Sequence, residues 1–143
     1  MSALSPRLRR IVDALPLRPG LRVIEVGCGP GAAAREVAAR IGPEGHVLAV
    51  DRSAAAIART TASAADLIAA GRLTARCGEA EHLALAEGER PYDLAFAVRV
   101  GAFDGRHPGA GERALERLAR ALVPGGRLFV DGGDPLREVP LPG

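Results

Sequence analysis

The sequence predicts an α/β fold, a three-layer αβα sandwich built on one mainly parallel sheet. Three observations lead there. Short apolar, often β-branched runs alternate with helical stripes of ten or more residues, the pattern of right-handed βαβ units. The runs are nearly continuous in apolar character, as expected of strands covered on both faces. A glycine cluster, Gly27-Cys28-Gly29-Pro30-Gly31, stands directly between the first run and a helical stripe. The 143 residues suit one domain over 1–143, with an N-terminal helix in 1–19, a core over 20–131 and a Pro/Gly-rich tail over 132–143.

The elements follow in order. Ser5-Pro6 is a helix start, a capping hydroxyl before a proline at the first helical position. Leu8, Ile11, Val12 and Leu15 then share one helical face, and Pro16, Pro19 and Gly20 end the helix. Residues 21–26 form the first strand, and Ala34, Val37, Ala38 and Ile41 the stripe of the helix behind the glycines. His46 to Val50 is a buried strand ending at Asp51. Ser53 caps a long helix carrying Ile57, Thr61, Ala64 and Ile68 on one side, and Gly71 suits a left-handed C-cap. Arg72 to Arg76 is a weaker third strand, followed by one or two helical turns between Glu79 and Ala86. Tyr92 to Val100 is the fourth strand, Gly101 to Gly111 a glycine-rich loop, and Glu112 to Leu122 a helix with Leu115, Leu118 and Leu122 inward. Pro124-Gly125-Gly126 turns into a fifth strand, Arg127 to Asp131.

Composition narrows the function. Aromatic residues are 3% of the chain and the net charge is +2, so neither a stacking platform for single strands nor a general nucleic-acid footprint is present. All 19 basic residues are arginine, which excludes chemistry through a lysine Schiff base. Cys28 and Cys77 are too few and too far apart for a zinc framework, and no metal site is expected. Two reduced thiols, no signal-peptide pattern at the N-terminus and no apolar run long enough to cross a membrane lead to an expectation of a cytoplasmic protein without a membrane partner.

In open parallel sheets, ligands bind at the carboxyl ends of the strands. The residues there are Glu25 with the glycine cluster, Asp51-Arg52, Gly78-Glu79-Ala80-Glu81, the stretch from Arg99 to Asp104, and Asp131. Acids are over-represented among them. Gly27-x-Gly29-x-x-Ala32 with Asp51 beyond it satisfies a loose dinucleotide fingerprint, which fits nicotinamide and other nucleoside sites alike. Glu25 separates the two. Its strand position is flanked by Ile24 and Val26, and burying an unpaired carboxylate costs several kcal/mol. Either a cationic or N–H-rich ligand compensates, or the carboxylate tethers loop amides. A rim of acids suits cations and N–H or O–H donors, whereas a pyrophosphate wants amides and cations.

Val23-Ile24-Glu25-Val26-Gly27-Cys28-Gly29-Pro30-Gly31 resembles the first motif of class I S-adenosylmethionine-dependent methyltransferases. Leu48-Ala49-Val50-Asp51 is similar to the acidic end of their second strand, Gly78 to Leu83 to their adenine loop, and Tyr92 to Val98 to their fourth strand. Leu122-Val123-Pro124-Gly125-Gly126-Arg127-Leu128 resembles the turn before their fifth strand, so the resemblance runs in order over about residues 20–131. It implies a Rossmann-like sheet with core order 3-2-1-4-5 and a cofactor, S-adenosylmethionine, leaving as S-adenosylhomocysteine. It also implies roles. Gly27, Cys28, Gly29 and Gly31 line the methionine portion and Glu25 helps hold its amino group. Asp51 accepts from the ribose hydroxyls, Arg52 or Ser53 flanks the adenine, Glu79 accepts from the adenine amine beside the Ala80 amide, and Val98-Arg99 face the amino-acid end. Two of these have plain alternatives: Glu79 as a solvated loop acid, Asp51 as a helix cap. His107 and Asp104 are the candidate catalytic bases, and Arg99 either steers an anionic acceptor or extends into solvent. The acceptor is a small molecule or a macromolecule.

One departure from the family stands out. Its final antiparallel strand pair is apparently missing here, since residues 132–143 hold at most one short irregular strand. The fifth strand is then a bare edge, which invites pairing, and a homodimer is expected unless the tail or the N-terminal helix covers it. Two other functions compete with methyl transfer: a non-catalytic donor-binding module or partner subunit, and a nicotinamide oxidoreductase.

Overall fold

The computed structural model describes residues 4–103 and 107–143. Its helices are α1 (Pro6–Ala14), α2 (Ala32–Ile41), α3 (Ala54–Ser63), α4 (Ala65–Ala69) and α5 (Pro108–Ala121). The strands are β1 (Arg22–Val26), β2 (His46–Asp51), β3 (Leu73–Cys77), β4 (Tyr92–Ala97), β5 (Leu122–Asp131) and β6 (Leu136–Val139). They form one six-stranded sheet in the order β3-β2-β1-β4-β5-β6. The first five are parallel; β6 runs antiparallel to β5. The expected order 3-2-1-4-5 is therefore present. The expected bare edge is not: β6 pairs Leu128 with Val139 and Asp131 with Leu136, and so covers β5. The homodimer argument loses the premise it rested on.

Alternation along the strands splits the core into two layers. Val23, Val47, Ala49, Leu94 and Phe96 face the side on which α1 and α2 pack, with Val12, Val37 and Ile41 buried there. Ile24, Val26, Leu48, Val50, Ala95 and Leu128 face α5, through Leu118 and Ala121. The α1 start is as expected, since the Ser5 hydroxyl accepts from the Leu8 amide and Pro6 opens the helix. The fifth helix begins earlier than the glycines suggested, at Pro108, because proline suits the first helical position. Gly111 is buried in that helix where a side chain would collide with the Ala102 carbonyl. The Pro124-Gly125-Gly126 turn is absorbed into β5 as an irregularity in its register with β4.

The helix expected after Ser53 is interrupted. Ser53 does cap it, accepting from Ala56 N at 3.1 Å. At Ala64 the backbone leaves the helical region, and α4 starts anew. Thr60, not Thr61, is the buried threonine. Its hydroxyl donates to the Gly29 carbonyl at 2.8 Å, and the Ser63 hydroxyl donates to the Pro30 carbonyl at 2.9 Å. Helix α3 thus grips the glycine turn from the carbonyl side. Between Glu79 and Ala86 only a short 3₁₀ turn forms, Ala80–His82.

Thr60→Val keeps the shape but takes the hydroxyl donor from the part-buried Gly29 carbonyl, leaving it only the weak Cys28 thiol at 3.7 Å. Urea titration should show a loss of about 1–3 kcal/mol for Thr60→Val, and a smaller loss for Ser63→Ala at a more exposed position. Equal stability of Thr60→Val and the parent protein would remove this account of the turn.

Candidate functional site

The parallel register brings the carboxyl ends of β1, β2, β3 and β4 to one edge of the sheet. A cleft of about 700 Å³ opens there, within the roughly 300–1,000 Å³ typical of small-molecule sites. Gly27 borders it after β1, Asp51 and Arg52 after β2, Gly78 to Glu81 after β3, and Val98 and Arg99 after β4. His107 and Ala110, at the start of α5, form the remaining wall. Of the expected site residues, Gly27, Asp51, Arg52, Glu79, Ala80, Val98, Arg99 and His107 are thus brought together. Asp104 lies outside the described residues.

Glu25, Cys28, Gly29 and Gly31 are not among the cleft-lining residues. The reason is local geometry. The backbone turns through positive φ at Gly27, Gly29 and Gly31, which glycine alone adopts without strain. Cys28 points down into the core, its Sγ 3.5 Å from Thr60 Oγ1, and burial pushes the thiol up to about 11. Gly31 closes against Thr60, where a Cβ would lie 3.0 Å from the hydroxyl. A Cβ on Gly29 would meet nothing within 4 Å, so the top of the turn is open.

The amides of the turn are already engaged. Gly27 N and Cys28 N donate to Val50 O at 2.7 and 3.0 Å, and Gly31 N donates to Cys28 O at 3.0 Å. Gly29 N donates to Asp51 Oδ2 at 2.9 Å, while Asp51 Oδ1 accepts from Ser53 N at 2.8 Å. Asp51 is therefore a joint between the turn and α3 as well as a cleft residue. Each of its oxygens keeps acceptor capacity for a further donor.

Glu25 is 2% exposed and sits beneath the turn. It accepts from the Ala34 amide, and its Oε1 is buried with no partner. Burial first, and the nearby negative charge of Asp51 second, push its carboxyl up to about 8. An uncompensated buried carboxylate is costly, so at neutral pH the group holds a proton unless a cationic or N–H-rich neighbour arrives.

The acidic rim expected from the sequence is only partly free. Asp51 and Glu79 line the cleft with no guanidinium partner among the described residues. Glu81 is clamped by Arg113 of α5 at 2.7 Å, which holds its carboxyl below the usual range. Asp131 is paired with Arg7 of α1 at 2.7 Å. Both pairs join residues far apart in sequence, and no local pattern signals them. The same holds for Thr60 and Ser63, which shape the turn without belonging to any motif. Arg99 is the one non-glycine residue with positive φ among those described, at 57°, and its amide donates to Asp131 Oδ1 at 3.0 Å.

A methyltransferase domain family model matches residues 23–126. Nocamycin O-methyltransferase of Saccharothrix syringae is 33% identical over 136 residues, 93% of this chain and 46% of its own. Trans-aconitate 2-methyltransferase of Methylobacterium nodulans is 36% identical over 135 residues, 92% of this chain and 47% of its own. The chain thus spans about half the length of these curated relatives. Among solved structures, a SAM-dependent methyltransferase from Geobacter sulfurreducens in complex with S-adenosyl-L-homocysteine aligns with a TM-score of 0.66 at 26% identity, over 89% of this chain and 48% of that one. With the matched segment running from β1 into β5 and carrying the glycine turn, Asp51 and the cleft between them, the chain belongs to the methyltransferase domain family and has its Rossmann-like fold.

Proposed function

We propose that the chain binds S-adenosylmethionine in the cleft at the carboxyl ends of β1 to β4 and passes its methyl group to an acceptor, releasing S-adenosylhomocysteine. One observation carries this reading. The turn amides are spent on the chain itself, while the carboxylates of Asp51 and Glu79 line the cleft. A pyrophosphate would find no free amide at Gly27, Cys28, Gly29 or Gly31, and this disfavours the nicotinamide alternative even though Arg52 and Arg99 border the same cleft. A cis-diol and an amine find acceptors. The open space above Gly29 and the unpartnered Oε1 of Glu25 fit the same ligand, a cation-bearing group lying over the turn.

The assignments follow from position. Asp51 accepts from the ribose hydroxyls. Glu79 accepts from the adenine amine beside the Ala80 amide, and Arg52 flanks the base. Gly27, Val98 and Arg99 border the amino-acid end, and Glu25 supports the ammonium from beneath the turn. When bound, the donor supplies a methyl group already activated by a positively charged sulfur. The protein's task is then to align the acceptor and exclude water, which contributes several kcal/mol. His107, exposed at the wall formed by α5, is the described residue placed to take a proton from an acceptor that arrives protonated.

The second reading is a donor-binding module that serves a partner. It is favoured by the absence, among the described residues, of a side-chain hydrogen bond orienting His107. Transfer of labelled methyl from the donor to an acceptor panel, with and without cell extract, separates the two. We also place the protein in the cytoplasm, on the strength of its two unpaired thiols. A homodimer would have to use a surface other than the β5 edge, and a single-chain mass in light scattering at micromolar concentration would remove it.

Calorimetry with S-adenosylhomocysteine should show binding. Asp51→Ala should weaken it by about 1–3 kcal/mol, the loss expected for charge-assisted bonds, and unchanged affinity would remove the ribose role. Glu25 makes a separate prediction. Its folded-state pKa is raised to about 8, so its contribution to stability is complete in acid and is lost as pH rises from its ordinary range through about 8. Glu25→Gln lacks that titration. Urea titrations at pH 5 and pH 9 should therefore show a smaller loss of stability for Glu25→Gln than for the parent. Parallel pH dependence would show that the carboxyl is not held neutral.

A further inference from the structure

A second cleft, of about 470 Å³, lies at the ends of β4 and β5 beside the donor cleft, and the two share Arg99 and Val100 in their walls. Its chemistry differs from that of its neighbour. Val100, Phe103 and Val130 supply apolar wall, and Arg99 and Arg137 supply two guanidinium groups. Among the described residues neither guanidinium is paired with a carboxylate. Arg137 spends one donor on the Phe103 carbonyl at 3.2 Å and keeps the others of its five. Among the described residues the one acid in the wall, Asp131, is already engaged at both oxygens, by the Arg99 amide at 3.0 Å and the Arg7 guanidinium at 2.7 Å. Its charge is neutralised where it would otherwise repel an anion.

Resting on the methyl-donor reading above, we infer that this second cleft is the acceptor site and that it holds a small organic acid, gripping the carboxylate between Arg99 and Arg137 and the apolar body against Phe103 and Val130. Guanidinium groups match a carboxylate in geometry and charge, and the apolar wall favours a hydrocarbon body over a polyhydroxylated one. The backbone at Arg99 supports the same assignment. Positive φ at a non-glycine residue is strained and is held in place by its surroundings. Here the Asp131 carboxylate holds it, through the Arg99 amide, and Arg99 thereby stands at the boundary of the two clefts. The Arg7 pair adds α1 to this arrangement, so the N-terminal helix and the ends of β4 and β5 set one charge pattern together. An acid of this kind binds already ionised, which matches a cleft whose only carboxylate among the described residues is occupied.

The test uses the full chain saturated with S-adenosylhomocysteine at pH 7, followed by amide chemical-shift titration. Hexanoate, phenylacetate and adipate are each compared with the matching neutral amide. At least one acid should bind about fivefold or more tightly than its amide, roughly the preference one charge-assisted contact supplies, and should shift the amides of Phe103, Val130 and Arg137. Arg137→Gln should abolish that preference and leave S-adenosylhomocysteine affinity within about twofold, while Arg137→Lys, which keeps the charge, should retain part of it. Thermal unfolding of both variants checks that β6 remains in place. Acids and amides binding alike, or no acid shifting these residues while S-adenosylhomocysteine is bound, overturns the inference and leaves the methyl-donor reading standing. Failure to bind S-adenosylhomocysteine at all overturns both.

Discussion

The carboxylate of Asp51 is the joint on which the site depends. One oxygen accepts from Gly29 in the turn after β1, the other from Ser53 at the start of α3. Two neighbouring strand ends are thereby tied through a single side chain, and α3 completes the clamp with hydroxyls on the opposite, carbonyl side of the turn. A turn held from both sides presents its open upper surface in one conformation. Preorganisation of this kind removes the ordering cost a ligand would otherwise meet.

Beneath that joint lies a stack of groups that ordinary burial would forbid. Glu25, Cys28 and Thr60 are all buried around the underside of the turn. The threonine is satisfied by the Gly29 carbonyl, and the thiol behaves as a small apolar group. The carboxyl is not fully satisfied, and burial together with Asp51 keeps it neutral. Holding an acid in this state couples the turn to the charge of whatever lies over it. A positive charge over the turn would favour the ionised form of Glu25, and a neutral or negative group would not.

Charge is distributed over the two clefts by long-range pairing. Arg113 takes Glu81 out of play on the donor side, and Arg7 takes Asp131 out of play on the other. Asp51 and Glu79 remain as acceptors in the first cleft, Arg99 and Arg137 as cations in the second. The same strand ends thus border two adjoining clefts that share Arg99, the first with Asp51, Glu79 and Arg52, the second with Arg137 and the paired Asp131.

Much of this molecule was legible in the one-dimensional pattern. Alternating runs and stripes specify the parallel sheet, because burial of both faces leaves few arrangements of βαβ units, and the family resemblance implied its strand order. The glycine turn, Asp51 and Glu79 were legible because the carboxyl ends of parallel strands are where such sheets bind ligands. What the pattern could not carry was anything that depends on side chains meeting from distant segments. It placed Thr61 rather than Thr60 inward, saw the strand-end acids as one free rim, and left β5 uncovered. Helical phase one residue out, an arginine 32 residues away at Arg113 and a four-residue strand at Leu136–Val139 reversed each of these. The sequence alone determined the alternation of strands and helices and the residues at the strand ends, since both follow from local periodicity and chain direction. Only the tertiary structure decided which acids stay free, which are neutralised and where the second cleft opens, because those outcomes rest on through-space pairing that no spacing encodes.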